Sequence, residues 1–156
     1  MAVVPTAREW TDPTCPVART IDLVGDRWSL LIVRDAMDGA GTFTEFQQRL
    51  GIARNILSDR LRRLVDNGIL TTSTPPGGKR HTYALTEAGQ DLFAAIVALR
   101  QWGERHAFVA NEPRSVLVDR DGSPVAPLRI ENREGQPVTA VTARVRKVSD
   151  AAIRHR

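Results

Sequence analysis

The tightest constraint in this sequence is a three-residue corner. In GTFTEFQQRLGIARNILSDRLRRL two short amphipathic segments meet at Leu50-Gly51-Ile52. That leaves no room for a loop and forces one helix to turn sharply into the next. Thr42 is placed to cap the first segment, Phe43 to Leu50, whose buried stripe is Phe43, Phe46 and Leu50. The second runs from about Ala53 to Asn67, where Gly68 stops it. Helical spacing puts Leu57, Leu61, Leu64 and Val65 on one face, with Asn55, Asp59, Arg62, Arg63 and Asp66 opposite.

The corner is followed by Ile69 to Ser73 and His81 to Leu85, two strand-like runs joined by Pro75-Pro76-Gly77-Gly78 and a basic tip of Lys79 and Arg80. Helix, turn, helix and two-stranded wing is an order that sets a helix into the major groove of DNA with a basic loop beside it. The formal net charge of +4 is modest. Its distribution is not: Arg54, Arg60, Arg62, Arg63, Lys79 and Arg80 fall within one short window. A polyanionic partner fits that concentration of charge.

The flanking segments complete an α+β domain. Residues 1–13 are polar and proline-marked, and are expected to be a loose arm. A helix over Pro16 to Val24 has proline at its favoured first position, and Gly25 ends it. Asp26 caps a second helix, Arg27 to Met37, with Trp28, Leu31, Ile32 and Met37 at helical spacing. Thr86 caps a long helix reaching about Ala107, and its apolar stripe of Leu92, Phe93, Ile96, Val97 and Leu99 is wider than one packing partner requires. That breadth predicts a homodimer, with Ile21, Leu92, Ile96, Leu99 and Trp102 as interface candidates. The domain is drawn as residues 14–110. Beyond Glu112 the runs SVLVDRDG, PLRIENREG and TAVTARVRK alternate between turns, which predicts a small β-meander over 113–147 and a basic tail over 148–156. The residue pattern shows no internal repeat and no low-complexity tract.

Several functions are set aside. A single cysteine, Cys15, rules out an internal disulfide and any multi-cysteine metal site. His81, His106 and His155 are too scattered for a metal or catalytic group, so neither an enzyme nor a cofactor is expected. The chain opens without a signal-peptide pattern, and no apolar run approaches the roughly 18 residues that cross a bilayer, so the expectation is a cytoplasmic protein without a membrane partner.

Three stretches together resemble the HxlR family of bacterial winged helix-turn-helix regulators, which are related to the MarR group. They are CPVARTIDLVGDRWSLLIVRDAMDG, TFTEFQQRLGIARNILSDRLRRLVDNGIL and KRHTYALTEAG. The resemblance covers about Cys15 to Ala107 and implies a homodimer, paired mainly through the first and last domain helices, on a palindromic operator in double-stranded DNA. In some members the position of Cys15 senses quinones, aldehydes or oxidants. Ala53 departs from the family's usual serine or threonine cap, and the appendage lies outside its minimal fold. The spacing of Asp121-Gly122 and Glu134-Gly135 is similar to a zinc ribbon with acidic residues where cysteines would stand, which could not build a thiolate zinc site.

On that frame the DNA-contact candidates are Thr42 and Thr44 at the first helix, Arg54, Asn55, Ile56, Ser58, Arg62 and Arg63 on the second, and Lys79, Arg80 and His81 on the wing. Early residues of such a helix reach base edges and later ones the backbone. Asn55 suits adenine, and Arg54 suits guanine or a phosphate. Ile56 either meets a thymine methyl or packs under the wing. A solvated face with Asp59–Arg62, Asp59–Arg63 or Arg62–Asp66 pairs is the bland alternative for the arginines. Cys15 stands at a helix start with Arg19 one turn on, which favours a reactive sulfur. Packing near the dimer seam is its alternative. A small-molecule or electrophile effector completes the expected partners. A winged-helix module that binds protein instead of specific DNA is the rival for the whole chain.

Overall fold

The computed structural model describes residues 8–148. The expected arm falls outside that range for residues 1–7, and the expected tail for residues 149–156. The described chain forms two compact units, the first ending at Ile96 and the second beginning at Val97.

The first unit follows the predicted order: α1 (Pro16–Val24), α2 (Arg27–Met37), α3 (Phe43–Leu50), α4 (Arg54–Asp66), β1 (Leu70–Ser73), β2 (Thr82–Leu85) and α5 (Glu87–Asp91). Its caps are the residues the sequence nominates. Asp26 accepts from the N–H groups of Trp28 and Ser29, and Thr42 closes a capping box with Glu45. The core gathers Ile32 and Val33 of α2, Phe46 of α3, Leu57, Leu61 and Leu64 of α4, and Leu70 of β1, all fully buried or nearly so. Tyr83 packs edge-on against Phe46 with ring centres 6.3 Å apart. Trp28 lies against the same core. The wing pairs antiparallel, Leu70 with Leu85 through Ser73 with Thr82, and a single bridge from Thr42 to Thr82 ties the start of α3 to its base.

The long helix expected from Thr86 to Ala107 is two helices. α5 ends at Leu92, whose N–H reaches back to the carbonyl of Gly89, and α6 (Phe93–His106) follows. No proline marks the break, so periodicity alone runs straight through it. The first turn is held to the wing base instead. The Thr86 hydroxyl donates to the carbonyl of Gly68 at 2.6 Å, and a Cβ on Gly89 would stand 2.3 Å from the carbonyl oxygen of Ile69. Gly89→Ala is therefore expected to cost about 1–3 kcal/mol through forced displacement of that backbone. Thermal or urea unfolding of the variant checks this, and an unchanged midpoint would contradict it.

Residues 8–13 of the expected loose arm are pinned. The Thr11 N–H and hydroxyl donate to the two Asp22 carboxylate oxygens at 2.9 and 2.8 Å, and hold that carboxyl below the usual range. The Arg8 guanidinium reaches Asn67 and the carbonyl of Asp22.

The second unit holds the C-terminal part of α6 and the appendage. The Gln101 amide is clamped between the carbonyl of Ala126 (2.9 Å) and the N–H of Leu128 (2.8 Å), while Arg100 donates to the Ser115 carbonyl and hydroxyl. A cavity of about 210 Å³ lies between Val97, Arg100 and Gln101 on the helix and Val116, Leu117 and Val125 on the appendage.

The small β-meander expected over 113–147 does not form: no strand lies there among the described residues. Two knuckles stand in its place, each closed by one bridge, Val118 with Pro124 and Glu131 with Pro137. Asp119 Oδ1 accepts from the N–H groups of Asp121 and Ser123, and Asn132 Oδ1 from those of Glu134 and Gln136. These side chains take donors that a ladder would use, and each following proline offers none. The pairs Asp119/Asn132, Gly122/Gly135 and Pro124/Pro137 also make the knuckles a repeat of one another, which hydrophobic alternation alone does not reveal.

Candidate nucleic-acid interface

The corner forms as the sequence requires. Gly51 ends α3 with φ 61°, a left-handed conformation that glycine adopts without a side-chain clash, and its N–H returns to the carbonyl of Gln47 at 2.9 Å. Ile52 plugs into the core at 4% exposure, and Ala53 starts α4 without a side-chain cap. Burial of Leu57, Leu61 and Leu64 turns the opposite side of α4 outward, so Arg54, Asn55, Ser58 and Arg62 are exposed.

Arg54 is pre-arranged. Its guanidinium lies 5.0 Å from the centre of the Phe43 ring and donates to Gln47 Oε1 at 3.3 Å. Gln47 is not among the contact candidates that the sequence names. Its position in the last turn of α3, across a three-residue corner, is the signal that could have placed it among them. Arg62 pairs with Asp59 at 2.7 Å, as the alternative for that face foresees. The pair is exposed and contributes about 0.2–0.5 kcal/mol, too little to withhold the arginine from a phosphate.

Other candidates are committed elsewhere. Arg60, part of the basic window, turns inward to bond Asp26 Oδ1 at 3.0 Å and also pairs with Asp59. Burial works against ionisation of Asp26, but its bonds from Ser29 and Arg60 outweigh that and keep the carboxyl below its usual range. Ile56 is half-buried and packs against the core, which favours its packing role over a thymine contact. Thr42 uses its oxygen to cap α3, accepting from the Glu45 N–H at 3.2 Å, while Thr44 is exposed. Arg63 is half-buried.

The wing tip is exposed throughout residues 74–81, including Lys79, Arg80 and His81. Gly77 has φ 74° there, and the His81 ring pairs with the Thr74 hydroxyl at 2.9 Å. Of the interface candidates, Ile21 (59%), Leu99 (55%) and Trp102 (58%) are exposed, joined by Val17 and Phe93. Leu92 and Ile96 are partly buried against the core of their own chain. Cys15 is the N-cap of α1, its Sγ accepting from the Ala18 N–H at 3.4 Å, and is half-exposed. No helix among the described residues is long and apolar enough to cross a membrane.

An outward recognition helix beside an exposed basic wing defines a winged helix-turn-helix domain. Residues 23–111 match the HxlR-like helix-turn-helix family, and the chain belongs to it. An HTH-type transcriptional regulator of Mycobacterium tuberculosis, Rv3095, is 50% identical over 93 residues, which cover 58% of this chain and 58% of that protein. The match thus spans little more than half of that relative. The crystal structure of the transcription-factor candidate PA1607 is 46% identical with a TM-score of 0.82, covering 86% of this chain and 96% of that one. The oxidised form of the redox regulator HypR is 31% identical with a TM-score of 0.55, covering 61% of this chain and all of HypR.

Proposed function

We propose that the protein is a sequence-specific, DNA-binding transcriptional regulator that acts in the cytoplasm as a homodimer on a palindromic operator. The observation that carries this reading is the face of α4 that exposes Arg54, Asn55, Ser58 and Arg62, in a domain whose wing tip exposes Lys79 and Arg80. Arg54 and Asn55, at the start of the helix, read base edges; Ser58, Arg62 and the wing hold phosphates. Exposed apolar side chains on α1 and on α6 fit burial against a second copy. Repression is the favoured sign, because an operator overlapping a promoter blocks polymerase. Half-sites then lie about one DNA turn apart or a close multiple of it.

The wing gives a direct check. Lys79→Ala is expected to weaken binding to operator and random DNA alike and to lower the slope of log affinity against log salt by about one unit. Titrations at several salt concentrations measure it. An unchanged slope would remove the wing from the interface.

A regulatory role for Cys15 is favoured by its place at the α1 N-cap and by the similarity to HypR. One cysteine per chain leaves a bridge to a second subunit, a mixed disulfide or S-alkylation. Diamide or a quinone is expected to change operator affinity in the wild type but not in Cys15→Ser, with a dimer band on non-reducing gels if a bridge forms. A Cys15→Ser protein with the full response would return Cys15 to a packing role.

A further inference from the structure

Arg8 stands far in sequence from the recognition helix and has no part in the DNA reading, yet its guanidinium is shared between two elements. Nη1 donates to Asn67 Oδ1 at 2.9 Å, and Nη2 donates to the main-chain carbonyl of Asp22 in α1 at 2.7 Å. Asn67 is the residue on which α4 ends, and its Nδ2 donates back to the carbonyl of Leu23 at 3.3 Å. Three hydrogen bonds thus tie the last turn of α1 to the end of α4.

The segment that presents Arg8 is itself held down. Thr11 is bonded twice to Asp22, the Trp10 ring has the Arg8 and Arg19 guanidinium carbons 5.5 and 4.8 Å from its centre, and Arg19 Nε donates to the carbonyl of Pro13 at 2.9 Å. Apolar packing of Leu57, Leu61 and Leu64 seats α4 in the core, and such packing favours a crossing angle only to within about 15–20°. A planar guanidinium fork narrows that range, because its donors point in fixed directions. Asp26–Arg60 fixes the middle of α4 against α2, and Arg8–Asn67 fixes its C-terminal end against α1. Helix α1 also carries the exposed Val17 and Ile21.

We infer that Arg8 is a positioning residue for DNA recognition: through Asn67 it sets the orientation of the recognition helix relative to α1, and with it the geometry in which that helix meets an operator. The inference rests on the DNA reading above.

The test uses the full chain, the DNA adjacent to its own gene as operator probe, a random duplex of equal length, and operators with one base pair added or removed between half-sites. Arg8→Ala is expected to weaken operator binding about tenfold, to leave random-duplex binding within about twofold, and to flatten the preference for one spacing. Arg8→Lys keeps the charge but not the fork, and is expected to behave like Arg8→Ala. Combining Arg8→Ala with Asn67→Ala is expected to cost less than the two single losses multiplied together, since both remove the shared Arg8–Asn67 bond.

Wild-type binding by Arg8→Lys, proportional loss on operator and random DNA, or additive effects of Arg8 and Asn67 would each overturn the inference. The first two outcomes would make Arg8 a charge contact, the third an independent packing residue. A wild-type chain that does not distinguish operator from random duplex would fail the DNA reading itself, and is recognisable because the defect lies in the wild type and not the variants.

Discussion

Replacing Leu99 and Trp102 together by glutamate is expected to make the protein monomeric and to weaken operator binding by about a hundredfold or more. Both side chains lie on α6 and are more than half exposed, so charging them removes no contact from the core of their own chain. A dimer binds its second half-site from an already anchored position, and a monomer loses that advantage entirely. Light scattering at micromolar concentration reports the mass, and a shift titration reports the affinity. Leu92 and Ile96 are poorer sites for this experiment, because they pack against the core and charging them would unfold the domain. A double variant that remains dimeric with full operator affinity would move the interface elsewhere.

Asn55→Ala and Arg54→Ala are each expected to cost about 1–3 kcal/mol against the correct operator, roughly a 5- to 150-fold loss, and to relax preference at one base pair. Both side chains are exposed in the first turn of α4, where side chains of a recognition helix meet base edges. The two differ in preparation. Phe43 and Gln47 already hold the Arg54 guanidinium, so less side-chain freedom is lost when it binds. Gln47→Ala is accordingly expected to weaken binding in the same direction as Arg54→Ala and by less. Selection from randomised duplexes reads the preference at each position. If both variants retain the wild-type preference, the docking of α4 is wrong.

The helix-turn-helix was legible because its determinants are local. Leu50-Gly51-Ile52 fixes the corner, Asp26 caps α2 and Thr42 caps α3, and Leu57, Leu61 and Leu64 mark the buried face of α4 without reference to anything distant. What escaped the sequence depends on contacts between segments far apart. The turn that breaks at Leu92 lies against the wing base through Thr86 and Gly89, and nothing in the local pattern records either feature. Arg60 looks identical to its neighbours in a basic run until Asp26 turns it inward. Arg8 lies in a segment whose composition suggests a loose arm, and only Asn67 and Asp22 show why it is not. In the appendage, alternation suggested strands while Asp119 and Asn132 diverted the ladder donors into knuckles. The polar face of α4 was named as a whole more readily than residue by residue: helical spacing puts Asn55 outward but leaves Ile56 open between a thymine contact and packing, and only the fold shows it half-buried against the core.

Operator recognition is measured by titrating the purified protein with the DNA adjacent to its own gene and with a scrambled duplex of the same composition, each at several salt concentrations. Sequence-specific recognition predicts operator binding about a thousandfold or more tighter than binding to the scrambled duplex, and affinity for both that falls steeply as salt rises. Binding that is weak, equal for the two duplexes and insensitive to salt would contradict it, and would point to a winged-helix domain whose partner is a protein.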